Sequence, residues 1–176
     1  MKNTLAAIII LVVFAGCNSS TAEKTAAVNY EPTDAARPSA VSVPGLPSFN
    51  MVSSSGQMID LSQYKGKKVF VNLWATWCPP CRAEIPSIQQ LHAKADKSKT
   101  VFVMLSLDND FETAKKFAAK TKMNLPVFYP AGNLPELFNV QGIPVTYIFN
   151  EKGELIHRQD GAADYSTQYY ADLLNQ

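Results

Sequence analysis

The sequence has little excess charge, few cysteines and no apolar run long enough to span a bilayer. Sixteen Lys and Arg residues stand against 15 Asp and Glu residues in 176, a net charge of +1. That balance leaves no cationic surplus to neutralise a row of phosphates, so the composition disfavours nucleic-acid binding. Three cysteines, 11 prolines and 8 glycines are too few for a disulfide-stapled mini-protein or a low-complexity chain. With 47% hydrophobic residues, the chain can form one domain with a core.

An apolar run lies near the N-terminus, where Lys2 is followed by LAAIIILVVFA at residues 5–15. As a helix this run extends about 16 Å, against about 30 Å of hydrocarbon in a bilayer. It therefore indicates a signal peptide, residues 1–16, and not a spanning helix. The small residues before Cys17 resemble the bacterial lipobox, which implies that Cys17 is lipidated and begins the mature chain. The alternative is an ordinary cleaved signal peptide that leaves Cys17 as a free thiol.

Residues 17–44 have the composition of a disordered tether. Ser, Thr, Ala and Pro dominate this segment, and it shows no sustained apolar periodicity. A flexible chain of this length has an end-to-end distance of about 30 Å, enough to hold a domain clear of lipid head groups. Val41 and Val43 leave open the alternative that the segment packs on the domain. The folded domain is expected over residues 45–176.

Strand and helix patterns follow one another along residues 45–176. The apolar, β-branched runs at 69–74 and 101–107 are typical of strands covered on both faces. An amphipathic helix between them predicts a right-handed parallel βαβ unit. The remaining predicted elements are strands at 49–52, 57–60, 126–129, 145–150 and 154–159, a helical turn at 133–138, and helices at 109–121, capped by Asn109, and at 166–175. This order predicts an α/β domain with a central mixed sheet flanked by helices and an N-terminal hairpin.

Cys78 and Cys81 are separated by two residues and lie where a buried strand gives way to a helix. Such a pair is close enough to form a disulfide. Because the free N–H groups and the dipole of a helix N-terminus favour a thiolate, Cys78 is predicted to be an exposed nucleophile with a lowered pKa. Cys81 is then the resolving thiol. Pro79 and Pro80 occupy the first helical positions, where a missing N–H costs little.

Other uses of a CxxC pair fit the sequence less well. A c-type haem requires His after the second cysteine, and position 82 is Arg82. A zinc site requires two more ligands, and His92 is about 16 Å along the helix from Cys81. A purely structural disulfide of this span closes too small a loop to stabilise much. The pair therefore predicts thiol redox chemistry with no metal and no other cofactor.

The run VFVNLWATWCPPCRAEIP at residues 69–86 resembles the thioredoxin superfamily, and within it the TlpA/ResA-like extracytoplasmic branch. GIPVT at residues 142–146 is similar to the cis-proline loop of that family. The resemblance covers about residues 45–176 and implies a thioredoxin fold. It also implies that Pro144 is cis and faces the CxxC motif, which leaves the Ile143 backbone free to pair with an extended client segment.

The resemblance assigns further residues to client contact and to proton transfer. Trp77, Pro79 and Pro80 are expected to contact clients, and a plain core position is the alternative for Trp77. Where cytoplasmic thioredoxins carry a buried Asp, this chain has Asn72, which cannot titrate. Glu84 lies three residues after Cys81 on the same helical face and matches the acidic residue of the TlpA/ResA-like branch.

Glu84 is expected to be partly buried, with a raised pKa, and to act as the acid/base for Cys81. The alternative is an ordinary solvated helix glutamate. Taken with the two thiols, this assignment makes Cys78, Cys81 and Glu84 the predicted catalytic residues.

Taken with the predicted signal peptide and the lipobox at Cys17, the resemblance implies an exported thiol:disulfide oxidoreductase, lipid-anchored on the periplasmic side of a bacterial cell envelope, that reduces client disulfides. Its expected partners are disulfide-bearing proteins, apocytochromes c among them, and a transmembrane electron donor. A disulfide oxidase or isomerase is the first alternative. Two weaker alternatives are a copper-delivery module and a peroxidase. Copper-delivery proteins of this fold carry CxxxC and a distant His, whereas this chain has CxxC and a poorly placed His157. A peroxidase requires Thr-x-x-Cys, but Thr76 precedes Cys78 by only two residues.

Overall fold

The computed structural model describes residues 44–175, so the predicted signal peptide and residues 17–43 of the predicted tether lie outside the described residues. The strands of the described residues are β1 (Asn50–Ser53), β2 (Met58–Asp60), β3 (Lys68–Trp74), β4 (Thr100–Ser106), β5 (Val127–Pro130), β6 (Val145–Phe149) and β7 (Leu155–Asp160). The helices are α1 (Pro79–Lys94), α2 (Phe111–Thr121) and α3 (Gln168–Asn175), with short 3-10 helices at Leu61–Tyr64 and Glu136–Phe138. This succession confirms the predicted α/β class.

All seven strands join one mixed sheet in the order β2-β1-β5-β4-β3-β6-β7. The parallel part comprises β3, β4 and β5, whereas β6 and β7 on one side and β1 and β2 on the other run antiparallel to their neighbours. Every residue of β3 is buried, as its near-continuous apolar sequence predicts. The CxxC motif therefore follows the carboxyl end of a central, rigidly held strand.

Side chains of β3 alternate between two apolar layers. Phe70 and Trp74 face the layer that contains the buried residues of α1, α2 and α3. Val69, Val71 and Leu73 face the opposite layer, which is covered by Leu46, Phe49, Leu61 of the first 3-10 helix and Phe138 of the second. The three α-helices thus pack on one face of the sheet, and the other face is closed by the two 3-10 helices and the segment before β1.

The start of α2 differs from the prediction by one residue. Asn109 was the predicted cap, but the N-cap is Asp110, whose carboxylate accepts a hydrogen bond from the Thr113 backbone N–H at 2.9 Å. Both residue types favour this position, so local preference does not choose between them. Tertiary contact does, because the Asn109 carbonyl accepts a hydrogen bond from the Tyr129 hydroxyl at 3.0 Å.

Candidate functional site

The Cys78–Cys81 pair forms a disulfide with an S–S distance of 2.09 Å and a Cα–Cα distance of 5.3 Å. Cys78 is the N-cap of α1, and its Sγ accepts a hydrogen bond from the Cys81 backbone N–H at 3.2 Å. The same N–H and the helix dipole stabilise negative charge on Cys78 once the pair is reduced. The predicted exposure of Cys78 is wrong for this disulfide form: its exposed fraction is 3%, because the residue packs within the core layer of the helical face.

The loop before β6 lies against this disulfide. The Ile143–Pro144 peptide bond is cis, as the resemblance implies. The Ile143 carbonyl oxygen lies 3.7 Å from Cys78 Sγ, a contact and not a hydrogen bond, since a disulfide sulfur carries no proton. The cis-proline loop and the CxxC motif, 62 residues apart between Cys81 and Ile143, therefore meet at one site.

Trp77 is one of the few large hydrophobic side chains on the described surface, with an exposed fraction of 64%. The alternative of a plain core position is therefore wrong for Trp77, and Trp74 fills the core position beside Phe117 instead. Pro79 and Pro80 are also exposed, at the first two positions of α1. The surface next to Cys78 is thus apolar and rigid, which suits contact with another protein.

Glu84 is buried, with an exposed fraction of 3%. Its Oε1 accepts a hydrogen bond from Asn72 Nδ2 at 2.8 Å, and its Oε2 accepts one from the Ala163 backbone N–H at 3.2 Å. Burial raises the pKa of this carboxyl to about 7, although both hydrogen bonds act in the opposite direction. The predicted burial and raised pKa are confirmed, and the alternative of a solvated glutamate is wrong.

Asp108 holds the loop between β3 and the CxxC motif. This buried carboxylate accepts hydrogen bonds from the Thr76 backbone N–H at 3.1 Å, the Thr76 hydroxyl at 2.7 Å and the Ser106 hydroxyl at 2.8 Å. Asp108 was not among the residues predicted from the sequence. The available signal was a Ser-x-Asp sequence at the carboxyl end of the parallel strand beside β3, where polar side chains point towards the same edge of the sheet.

Two further buried polar residues were not predicted from the sequence. Thr146 Oγ1 accepts hydrogen bonds from Asn72 Nδ2 at 2.9 Å and from the Tyr165 hydroxyl at 2.6 Å. Thr146 belongs to the cis-proline motif without a role of its own there, and Tyr165 lies in no motif. Both are completely buried. Thr146 lies on β6, the strand that follows the cis-proline loop, and Tyr165 lies in the segment before α3.

Two surface grooves are lined in part by residues that flank the CxxC motif or form the cis-proline loop. One runs between α1 and α2 and is lined by Pro79, Arg82, Ile85, Phe117 and Met123. The other borders the cis-proline loop and is lined by Gly142, Ile143, Val145 and Arg158, among others.

Neither a metal centre nor a membrane span is found within the described part of the chain. Residues 44–175 contain no group of three His, Cys, Asp or Glu side chains placed to hold a metal ion. Over the same residues, no helix combines the length and the apolar character needed to cross a bilayer.

The βαβ unit, the CxxC disulfide at a helix N-terminus and the facing cis-proline define a protein of the thioredoxin-fold class. The chain belongs to the Redoxin family, whose model matches residues 40–173.

Two curated relatives bear on its place within that class. The chain is 37% identical over 109 residues to the thioredoxin-like protein YneN of Bacillus subtilis (strain 168), a match that covers 61% of this chain and 64% of that protein. It is 26% identical over 114 residues to the thiol-disulfide oxidoreductase ResA of Halalkalibacterium halodurans, covering 64% and 65%. The chain thus spans just under two thirds of the length of each relative. The ResA match confirms the resemblance stated from the two motifs.

A solved structure with the same fold is the exposed lipoprotein thioredoxin Etrx1 of Streptococcus pneumoniae strain TIGR4. Its TM-score with this chain is 0.61 at 26% sequence identity, and the match covers 74% of this chain and 100% of that one. The thioredoxin fold implied by the sequence is therefore confirmed.

Proposed function

We propose that this protein is a thiol:disulfide oxidoreductase that passes two electrons from the Cys78–Cys81 dithiol to disulfides of client proteins. The observation that carries the proposal is the position of the disulfide, at the N-terminus of α1 and against the Ile143 carbonyl of the cis-proline loop. The similarity to ResA, a thiol-disulfide oxidoreductase, supports the activity.

The first chemical step is attack by Cys78. Its thiolate, stabilised by the Cys81 backbone N–H and the dipole of α1, attacks one sulfur of the client disulfide. A bond forms between Cys78 Sγ and that client sulfur, and the client S–S bond breaks. The second client sulfur leaves with the bonding electron pair and takes up a proton, so the product is a mixed disulfide and one client thiol.

The second step is resolution by Cys81. The Cys81 thiol gives its proton to the Glu84 carboxylate, one helical turn away on α1, and the resulting thiolate attacks Cys78 Sγ. The remaining client sulfur leaves with the electron pair and is protonated, and the chain ends in the disulfide seen in the structure. Because the pKa of Glu84 is about 7, the carboxyl accepts and releases this proton near neutral pH.

Client binding is assigned to Trp77, Pro79, Pro80, Ile143 and Pro144. An extended client segment pairs with the Ile143 backbone, which gives affinity with little dependence on client sequence. Exposed Trp77 and the two prolines supply an apolar contact on the other side of Cys78. Disulfide-bearing proteins are therefore the substrate class.

The proposal also covers location and direction. Cys17 carries a lipid that tethers the domain to a membrane on the periplasmic side, and the similarity to Etrx1, itself an exposed lipoprotein, supports this. Clients are reduced, with apocytochromes c as one class, and a transmembrane protein returns electrons to the Cys78–Cys81 disulfide. The reducing direction rests on the resemblance to the TlpA/ResA-like branch.

Trapping of clients tests the activity directly. Cys81→Ser removes the resolving thiol, so mixed disulfides at Cys78 accumulate in cell envelopes and are released by dithiothreitol. The double variant Cys78→Ser, Cys81→Ser is the matched control and forms none. Equal yields of adducts from the two variants would contradict the assignment of Cys78 as the nucleophile.

A further inference from the structure

A continuous chain of buried polar side chains links Glu84 to the sheet and to the segment before α3. It consists of Glu84, Asn72, Thr146 and Tyr165, none with an exposed fraction above 3%. Asn72 Nδ2 uses both of its hydrogens, one on Glu84 Oε1 at 2.8 Å and one on Thr146 Oγ1 at 2.9 Å. The Tyr165 hydroxyl donates to the same Thr146 oxygen at 2.6 Å. These groups therefore fix one another's positions.

The Asn72 amide has one unusual feature. Its Oδ1 is buried and has no hydrogen-bond partner among the described residues, although buried polar atoms are normally paired. The two ends of an amide have nearly the same shape, and a half-turn about the Cβ–Cγ bond exchanges Nδ2 with Oδ1. After that turn Oδ1 faces Glu84 and Thr146, and it accepts hydrogen bonds where Nδ2 donated them.

The two orientations match the two protonation states of Glu84. When the carboxyl is ionised, Nδ2 donates to it, as in the structure. When it is protonated, its O–H donates to Oδ1, and the Thr146 hydroxyl turns its own proton towards Oδ1 while it still accepts from Tyr165. In either state the end of the amide that faces Glu84 and Thr146 is hydrogen-bonded and the opposite end is unpartnered.

We propose that Asn72, Thr146 and Tyr165 are positioning residues that hold the Glu84 carboxyl in one place while it gains and loses the Cys81 proton. The inference deepens the proposed function and rests on it. Only one proton moves, between Cys81 Sγ and Glu84, and the network rearranges its hydrogen bonds around that transfer. Thr146 follows Pro144 by two residues on β6, so the network also ties Glu84 to the strand that carries the client-binding loop.

The titratable groups that face Glu84 come from three directions. Cys81 lies on α1 itself, Tyr165 lies in the segment before α3, and Tyr170 lies on α3. Burial raises the pKa of both phenols above their ordinary value, and the charge of Glu84 raises it further. Both tyrosines therefore stay neutral through the range in which Glu84 titrates, and the groups that reach it from the sheet, Asn72 and Thr146, do not titrate.

The test measures the rate at which Cys81 resolves a mixed disulfide, as a function of pH. The full chain, carrying Cys17→Ser so that its only thiols are Cys78 and Cys81, is purified in detergent, reduced and mixed with excess glutathione disulfide. Release of the second glutathione reports the attack of Cys81 in a single turnover, from pH 5 to pH 9.

Thr146→Val keeps the shape of the side chain and removes the hydroxyl, and Tyr165→Phe removes only the phenol oxygen. We expect both to slow resolution and to raise the pH midpoint, because Asn72 is no longer held as a donor on the carboxylate. Because the starting midpoint is about pH 7, a rise of one pH unit corresponds to about a fivefold slower reaction at pH 7. Thr146→Ser restores the hydroxyl and is expected to restore the original midpoint.

Tyr170→Phe is the matched control. Tyr170 packs against Tyr165, but its hydroxyl donates to Gln159 and not to Thr146. This variant is expected to leave the midpoint unchanged. Folded Thr146→Val and Tyr165→Phe proteins with the original midpoint would overturn the positioning role. A Glu84→Gln protein with the original profile would instead overturn the acid/base role of Glu84, so the two failures are distinguishable.

Discussion

Glu84 combines a position that the sequence reveals with a property that only burial supplies. Its spacing from Cys81 places it on the right face of α1, but the pKa of about 7 results from burial, which outweighs the lowering by the hydrogen bonds from Asn72 and Ala163. A solvated glutamate would be fully ionised at neutral pH and a weak base for a thiol. Burial therefore converts an ordinary side chain into a proton acceptor matched to working pH.

Glu84→Gln tests this role in catalysis. Gln cannot accept the Cys81 proton, so we expect the steep rise of resolution rate near pH 7 to disappear and the rate at pH 7 to fall by about tenfold to a hundredfold. Stopped-flow measurement of mixed-disulfide resolution from pH 5 to pH 9 checks this. Attack by Cys78 on the client is expected to keep its own pH profile, which serves as the internal control.

The same residue has a predictable effect on stability. Its folded-state pKa is raised, so the folded protein binds more protons than the unfolded chain between about pH 4.5 and pH 7. The contribution to stability is fully present below that window and is lost as pH rises through it, by about 3 kcal/mol in all. Urea unfolding of the oxidised protein should show this loss, and Glu84→Gln should lack it. Parallel curves for the two proteins would contradict the raised pKa.

The residues of the site could be identified from the sequence where a short local motif contains them. Cys78, Cys81 and Pro144 follow from CxxC and from GIPVT. Asp108 and Tyr165 do not, because their partners, Thr76 and Thr146, lie 32 and 19 residues away. Such contacts depend on how strands and loops pack in the folded domain, so no local pattern in the sequence predicts them. The low exposure of Cys78 was missed for the same reason, since burial is a property of the assembled loops.

At the scale of elements, the loop that leads from β3 into α1 is held from the neighbouring strand. Asp108, just beyond β4, receives three hydrogen bonds from Thr76 and Ser106 donors. Asp108→Ala leaves these buried donors unpaired, and we expect it to lower the free energy of unfolding by about 2–4 kcal/mol. Urea denaturation measures this change.

Asp164→Ala is the control for Asp108→Ala, because Asp164 makes similar contacts with Ser166 in an exposed turn. Asp164→Ala is expected to lower the free energy of unfolding much less than Asp108→Ala. If the two variants lost equal stability, the special role of Asp108 in holding the active-site loop would be wrong.

The strands and α-helices were predictable to within about two residues from apolar patterns and turn signals. The helical turn predicted at 133–138 is shorter, Glu136–Phe138, and the 3-10 helix Leu61–Tyr64 was not predicted. The runs at 69–74 and 101–107 became β3 and β4 because strands buried on both faces need continuous apolar sequence. The ends of the helices were predicted less accurately. The choice of Asp110 over Asn109 as the cap of α2 depends on a contact with Tyr129, which the sequence around the cap does not contain.

At the scale of the whole molecule, the proposed tether places a redox domain at a membrane. Cys17→Ser removes the thiol that the proposed lipid needs. We expect protein from wild-type membranes to carry a diacylglyceryl group on an N-terminal Cys17, and the variant to lack it. Intact-mass spectrometry detects the difference. A wild-type protein cleaved elsewhere, or carrying no lipid, would contradict the anchor without affecting the redox chemistry.

The central claim, a dithiol that reduces clients, is tested most directly by the reduction potential of the Cys78–Cys81 pair. The Cys17→Ser protein is equilibrated with defined ratios of reduced and oxidised glutathione or dithiothreitol, and the fraction of disulfide is measured by thiol alkylation. We predict a potential near or below about −230 mV, towards the value of about −270 mV of thioredoxin. A potential near about −120 mV, that of a strong oxidant, would contradict the account and make the protein a catalyst of disulfide formation.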